Sequence, residues 1–267
     1  MEKPRLLVFT DLDGTLLDHD TYQWTAALPA LGRLEKAGIP LILNSSKTAP
    51  EIRELRAQLS NRAPFIVENG AAVVIPANCF GPEEEQVVTF GASRERVLAV
   101  LRGLRDEGYR FCGFSDMTAE ALSEHTGLSL ESARRAQDRS ATEPLLWQGS
   151  DDERVAFTEK LEAENLRLVQ GGRFFHAMGR FDKADGVRFL LGKYRELAGE
   201  RPWVSIGLGD SPNDQRMLET VNIPVIIRGV QSDQVQLTSE RHAMRSLKPG
   251  PEGWNDCVLN ILVEYGY

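Results

Sequence analysis

Several polar residues stand next to short apolar runs, the places where open parallel sheets present side chains to a ligand. Asp11 and Asp13 end the run in LLVFTDLDGTLLD (6–18), Ser45 follows IPLILN (39–44), Lys183 precedes a helical pattern, and Asp210 and Asp214 lie in GDSPND (209–214). Carboxylates gathered at one mouth repel one another unless a cation lies among them, and an all-oxygen donor set beside a phosphate favours Mg²⁺. Asp11, Asp13, Asp210 and Asp214 are therefore the candidate metal residues. A carboxylate held beside a phosphoryl group can itself attack phosphorus, which divides hydrolysis into two easier steps through an aspartyl-phosphate. Asp11 is the candidate nucleophile. The leaving alkoxide then needs a proton, and Asp13, two residues on, is the candidate acid. Lys183 and the Ser45 hydroxyl would neutralise and hydrogen-bond the phosphoryl oxygens.

These residues need a frame that brings distant segments together, and the hydrophobic rhythm describes one. The first third alternates apolar runs with amphipathic segments, the pattern of parallel strands joined by crossover helices. Strands are expected at 5–9, 39–44 and 65–67, a helix at 24–37 ending at Gly38, and a helix at 48–59 opened by a capping box from Thr48 to Glu51. From about residue 82 the rhythm changes. Strand-like QVVTF (86–90) leads into a helix at 93–106, a strand at 109–113 and helices near 117–125 and 129–138. EPLLW (143–147), a helix at 151–164 and two strands around Gly171 and Gly172 follow. The first rhythm resumes with a helix at 183–198, WVSIGLG (203–209), a helix at 212–220, IPVII (223–227) and a C-terminal helix from about 254. The expected organisation is an α/β core of residues 1–81 and 181–267 interrupted by an α+β insertion of residues 82–180.

Bulk properties narrow the function. The chain has 267 residues, 42% hydrophobic and 26% charged, with a net charge of -8. That is enough to bury a sizeable core, and the acidic balance argues against nucleic-acid binding, which needs a basic stripe. Cys79, Cys112 and Cys257 are far apart, with no CxxC spacing and no metal-ligand pattern with His19, His125 or His242, so a reducing cytoplasmic setting is expected. The apolar run after Lys3 and Arg5 is too short for a signal peptide, and no window suits a membrane span. GLGDSPND lacks the third glycine of a dinucleotide-binding loop. The oligomeric state is not legible.

DLDGT (11–15), Ser45 after a strand, Lys183 before a helix and GDSPND, in this order across the whole chain, resemble the four motifs of the haloacid dehalogenase superfamily. The resemblance implies a Rossmann-like α/β core with an inserted α+β cap domain. It also implies that Asp11 attacks, that Asp13 is the acid/base and lends its backbone carbonyl to Mg²⁺, and that Asp11 and Asp210 ligate the metal directly with Asn213 and Asp214 close by. Aspartate at position 13 favours the phosphatase branches. A narrower likeness, to the mannosyl-3-phosphoglycerate phosphatase family, lies in NSSKT (44–48), VENGA (67–71), TAEALSEHTGLSLESARRAQDR (118–139), QGGRFFH (170–176) and PGPEGW (249–254). It implies a small phosphorylated sugar-glycerate substrate, hydrolysed to mannosylglycerate and phosphate, with glucosyl-3-phosphoglycerate or another sugar phosphate as the alternative. A non-catalytic phosphosugar-binding protein is the alternative of another class, and the intact acidic set speaks against it. Lys47, Arg134, Arg139, Arg173 and His176 become candidate substrate contacts. The guanidinium of Arg173 suits a glycerate carboxylate. By the residues alone, Lys47 is a solvated lysine and Arg134, Arg135 and Arg139 form a solvated helix face.

Overall fold

A computed structural model describes residues 3–171, 174–197, 201–238 and 243–267. Its framework is an eight-stranded sheet in the order β12-β11-β10-β1-β2-β3-β4-β5. These strands are β1 (Arg5–Thr10), β2 (Leu41–Asn44), β3 (Phe65–Val67), β4 (Ala72–Ile75), β5 (Gln86–Thr89), β10 (Trp203–Gly209), β11 (Ile223–Arg228) and β12 (Met244–Pro249). The strands from β12 to β3 run parallel, whereas β4 and β5 add antiparallel to one edge. Both faces are covered, so β1 reads as continuous apolar sequence. Leu6 and Val8 enter the cluster under α1 (Leu28–Lys36), α2 (Ala49–Gln58) and α9 (Gly250–Glu264), and Leu7 and Phe9 enter the cluster under α7 (Lys183–Glu196) and α8 (Gln215–Thr220).

A second, antiparallel sheet has the order β6-β7-β9-β8, from β6 (Phe111–Gly113), β7 (Thr142–Trp147), β8 (Leu166–Gly171) and β9 (Phe174–Gly179). One face is packed by α3 (Arg94–Asp106) and α6 (Asp151–Ala163) around Leu101, Phe157 and Leu161. The hairpin of α4 (Ala119–Thr126) and α5 (Leu130–Gln137) packs around Leu122 and Ala133 against Phe174. An α/β core with an inserted α+β sheet is thus the fold, as the sequence rhythm indicated.

Three details differ from the sequence reading. QVVTF was expected in the insertion from residue 82, but β5 pairs with β4, Val73 opposite Val88, in the larger sheet, so the smaller sheet begins only after it. The strands β4 and β12 were not anticipated, since β4 follows β3 after only a short turn and β12 is polar and largely exposed. Finally, α9 begins at Gly250 and not near 254, because Pro251 occupies its first turn, where a missing N–H costs nothing. Cys79, Cys112 and Cys257 are free. Among the described residues no helix is long and apolar enough to cross a membrane.

Candidate active site

The parallel register aligns the carboxyl ends of β10, β1 and β2, with Thr10 opposite Leu208 on one side and Leu43 on the other. Asp11 follows β1, Ser45 follows β2, and Asp210 follows β10. The Asp11 amide donates to Leu208 O at 2.9 Å, which continues the ladder one residue past the strand. The turn then reverses through Gly14, whose φ of +81° suits glycine. A Cβ there would also stand 2.7 Å from Asp210 Oδ2. Glycine at this position lets the two acidic loops approach each other.

Asp11, Asp210 and Asp214 are buried, and each offers a carboxylate oxygen within 4.8 Å of the others. Lys183, at the first position of α7, reaches into this cluster and donates to Asp11 Oδ1 at 2.5 Å and Asp214 Oδ1 at 2.6 Å. Burial alone would lower its pKa, but the two carboxylates hold the ammonium above its ordinary value. Burial, together with Asp214 and Asp210, raises the Asp11 carboxyl well above the ordinary carboxylate range despite the pull of Lys183. Burial and Asp214 push Asp210 to about 6. One lysine therefore does not balance the cluster. Asp214 is saturated by the protein, because its Oδ2 accepts from the amides of Asp210 and Ser211, both at 3.2 Å, and its Oδ1 takes Lys183. Asp210 Oδ1 accepts from Thr15 Oγ1 at 2.9 Å.

Asp13 stands at the rim. Its Oδ2 pairs with Lys47 Nζ at 2.9 Å, and its Oδ1 is enclosed with no hydrogen-bond partner among the described residues. The ammonium also lies 5.1 Å from the centre of the Tyr22 ring. Ser45 is 1% exposed and its Oγ accepts from the Lys47 amide at 3.2 Å. The segment 45–48 is anchored from below, since Glu68 N donates to Lys47 O and Asn69 N to Ser45 O, both at 2.9 Å.

The cap-side candidates separate. His176 is buried at the middle of β9. Arg139 is buried too, but its guanidinium donates to protein: Nε to Thr142 Oγ1 at 2.9 Å and its terminal nitrogens to Ala136 O at 3.2 Å and Ser46 O at 2.7 Å. It stands 3.6 Å from Glu68. Arg134 is exposed on α5, as a solvated helix face would have it. Arg135 pairs with Glu131 and lies 3.7 Å from Glu54 of α2. Arg173 and Gly172 lie outside the described residues.

Sequence reasoning gave Glu68 and Thr15 no role. Glu68 is 1% exposed, and its carboxylate accepts from the Ser140, Ala141 and Thr142 amides and from the Ser140 and Thr142 hydroxyls, at 2.7 to 3.2 Å. Burial would raise its pKa, but Arg139 and these donors hold the carboxyl below the ordinary glutamate value. Thr48 Oγ1 donates to Arg135 O at 2.8 Å beside this junction. A polar residue directly after the apolar run FIV was the signal for Glu68, the same signal that marks Asp11 and Ser45.

Comparison with known proteins identifies the family. Residues 8–233 match the family model of haloacid dehalogenase-like hydrolases. A glucosyl-3-phosphoglycerate/mannosyl-3-phosphoglycerate phosphatase of Methanococcoides burtonii is 38% identical, over 96% of this chain and 97% of that protein. Among solved structures, a phosphatase of the haloalkanoate (HAD) enzyme superfamily from Bacteroides thetaiotaomicron aligns with TM-score 0.68 at 18% identity, covering 98% of this chain and 96% of that one. The sucrose-phosphatase of Synechocystis aligns with TM-score 0.63 at 17% identity, covering 98% of both chains. At those identities the structural likeness concerns the fold alone. The family match across most of the chain, and the relative that spans nearly all of it, place this protein: it belongs to the haloacid dehalogenase-like hydrolases and is a phosphoric monoester hydrolase.

Proposed function

We propose that the protein is a Mg²⁺-dependent phosphatase that hydrolyses mannosyl-3-phosphoglycerate to mannosylglycerate and phosphate through an aspartyl-phosphate on Asp11. The observation that carries the chemistry is the buried cluster in which Lys183 joins Asp11 to Asp214 while Asp210 stands alongside. The relative from Methanococcoides burtonii, named for both substrates, supports the substrate class and favours glucosyl-3-phosphoglycerate as the second reading.

The donor set fits the metal. Mg²⁺ is a hard cation that takes oxygen ligands, and the triad offers three carboxylate oxygens within 4.8 Å of one another. The raised carboxyls of Asp11 and Asp210 are those of a cluster short of positive charge. Asp11 and Asp210 would hold the ion, with the Asp13 carbonyl, while Asp214, saturated by Lys183 and backbone amides, fixes the position of both. The ion would supply charge neutralisation for the phosphoryl oxygens.

The chain's own residues account for the rest. Lys183 fixes the rotamer of Asp11 and adds positive charge where the phosphoryl group accumulates negative charge. Ser45, held by its own loop, offers a hydroxyl to a phosphoryl oxygen. Asp13, with one oxygen on Lys47 and the other unpartnered among the described residues, would protonate the leaving oxygen and then take a proton from the attacking water. Lys47 and Arg173 are the cations proposed for the substrate's glycerate carboxylate.

Release of inorganic phosphate over a panel of sugar phosphates tests the reading. Mannosyl-3-phosphoglycerate or glucosyl-3-phosphoglycerate should have the highest specificity constant. Chelation should abolish release, and Mg²⁺ should restore it and raise the thermal unfolding midpoint of the chelated protein. Full activity after exhaustive chelation, or a clear preference for a phosphate ester without a glycerate, would contradict it.

A further inference from the structure

Segment 45–48, which carries Ser45 and Lys47, is held from two sides. From the larger sheet, the Asn69 and Glu68 amides donate to Ser45 O and Lys47 O. From the inserted part, Arg139 Nη2 donates to Ser46 O at 2.7 Å, and Arg135 O accepts from Thr48 Oγ1 at 2.8 Å. The successive carbonyls of 45, 46 and 47 are thus each fixed, two by the turn after β3 and one by the insertion. That turn is costly to form. Glu68, Asn69 and Gly70 have φ of 49°, 60° and 96°, and the first two carry side chains that disfavour the left-handed region. The same turn seats α7, since a Cβ on Gly70 would run into Asp182 O, next to Lys183.

The family resemblance implies that Arg139 touches the substrate, but its surroundings give it another task. Its side chain is 3% exposed, and all three guanidinium nitrogens donate to protein oxygens. Thr142 Oγ1, which accepts from Arg139 Nε, itself donates to Glu68 Oε2 at 2.8 Å. Glu68 also accepts from the amides of residues 140–142. A closed ring of bonds therefore runs from Ser46 O through Arg139, Thr142 and Glu68, and returns through the Glu68 amide to Lys47 O. His176 is kept neutral, its pKa lowered to about 3 by burial and by Arg139, so it brings no second charge to Glu68. The ring joins the insertion to the backbone that presents Ser45.

We propose that Arg139 and Thr142 are positioning residues for the hydrolysis: docking of the insertion on Glu68 sets the backbone of 45–47, and through it the Ser45 hydroxyl at the phosphoryl group. A hydrogen-bond donor misplaced by an ångström loses much of its effect on the transition state, so this contact at a distance has a kinetic consequence. The insertion then contributes to the turnover of every phosphate ester, including one too small for it to touch. A substrate contact would act only on esters that reach it. The inference rests on the phosphoryl role of Ser45 in the reading above and adds how that hydroxyl is held in place.

The test measures kcat and KM for the preferred sugar phosphate and for p-nitrophenyl phosphate in wild type, Arg139→Lys, Thr142→Val and Thr142→Ser. Lysine keeps the charge beside Glu68 but cannot span from Thr142 to Ser46 O, and valine keeps the shape of Thr142 without its hydroxyl. In both variants kcat should fall about tenfold on both esters, whereas Thr142→Ser should stay within about twofold of wild type. Ser45→Ala alone should lower kcat about a hundredfold. Added to Arg139→Lys or Thr142→Val it should bring the total to little more than that, in place of the about thousandfold loss that independent effects would give. A loss confined to the sugar ester would make Arg139 a substrate contact and overturn the proposal. So would unchanged kcat with a lower thermal unfolding midpoint, an equal loss in Thr142→Ser, or additive losses with Ser45→Ala. If Arg139→Lys does not fold, Thr142→Val, which keeps the buried ion pair, decides alone. Ser45→Ala with wild-type turnover on both esters would remove Ser45 from the phosphoryl site and so contradict the underlying reading, whereas a loss in Ser45→Ala that is additive contradicts this inference alone.

Discussion

The acidic cluster beneath the site and the junction above it bury charge in different ways. Beneath, burial and crowding raise the carboxyls, with Asp210 at about 6 and Asp11 well above its ordinary range, because among the described residues only Lys183 brings a cation to Asp11, Asp210 and Asp214. Above, the Glu68 carboxylate is met by Arg139 and by donors from 140–142 and stays below its ordinary value, while His176 is kept neutral at about 3. The first region is short of positive charge by itself and calls for a cation. The second is balanced, and it holds the segment 45–48 against the smaller sheet. One region is arranged for chemistry and the other for position, and substitutions should separate them.

The sharpest break comes from Asp11→Asn. The amide keeps the volume and removes the nucleophilic charge, so turnover should fall by about a thousandfold or more while the thermal unfolding midpoint stays at or above that of wild type, because crowding among the carboxylates is relieved. Turnover within tenfold of wild type would remove Asp11 from the chemistry. Asp13→Asn should follow, with a loss of about 10² to 10⁴ on alkyl phosphates and much less on aryl phosphates, whose leaving group needs no proton. Equal losses on both would exclude the acid role.

On the other side of the comparison, Glu68→Gln should act on stability. It leaves the Arg139 guanidinium without its buried carboxylate, a change that costs about 3 to 5 kcal/mol in urea unfolding. A loss under about 1 kcal/mol would mean that the junction does not hold the two sheets together.

A smaller effect distinguishes the two regions by pH. Between about 3 and 6.5 the unfolded chain binds a proton at His176 that the folded chain does not, so this contribution to stability is complete above 6.5 and is lost as pH falls through that window. Glu68 adds in the same sense below 4.5. From pH 7 to pH 5 the His176 part amounts to about 2 kcal/mol, so His176→Leu should lose about that much less than wild type on acidification. The same acid dependence in both proteins would contradict the buried neutral ring. In chelator the acidic cluster works the other way. Asp210, raised to about 6, binds more protons folded than unfolded between 3.8 and 6, so its contribution improves as pH falls. Stabilisation by Mg²⁺ should accordingly be larger at pH 7.5 than at pH 5.

The difference between the regions also explains what could be read from sequence. The candidates of the acidic cluster were legible because each follows a strand or opens a helix, and parallel register brings such positions together without knowledge of side-chain contacts. The capping box at Thr48 and Glu51 was legible for the same local reason. The junction was not, because Glu68 meets partners 72 to 74 residues away and nothing near VENGA names them. Arg139 shows the cost of local reading: on a helical pattern it resembles a solvated arginine, yet it sits buried between Ser46 O and Glu68. The strand β5 was misplaced for a related reason, since a short exposed run does not say which sheet edge it joins.

The central claim is that Asp11 carries the phosphoryl group. Wild type mixed with the preferred sugar phosphate and Mg²⁺, quenched in acid during the first turnovers and reduced with borohydride, converts an aspartyl-phosphate to homoserine that peptide mass spectrometry locates. The account predicts homoserine at position 11, formed only with substrate and absent from Asp11→Asn. Rapid phosphate release under the same conditions, with position 11 recovered as unmodified aspartate and the modification found elsewhere, would contradict it.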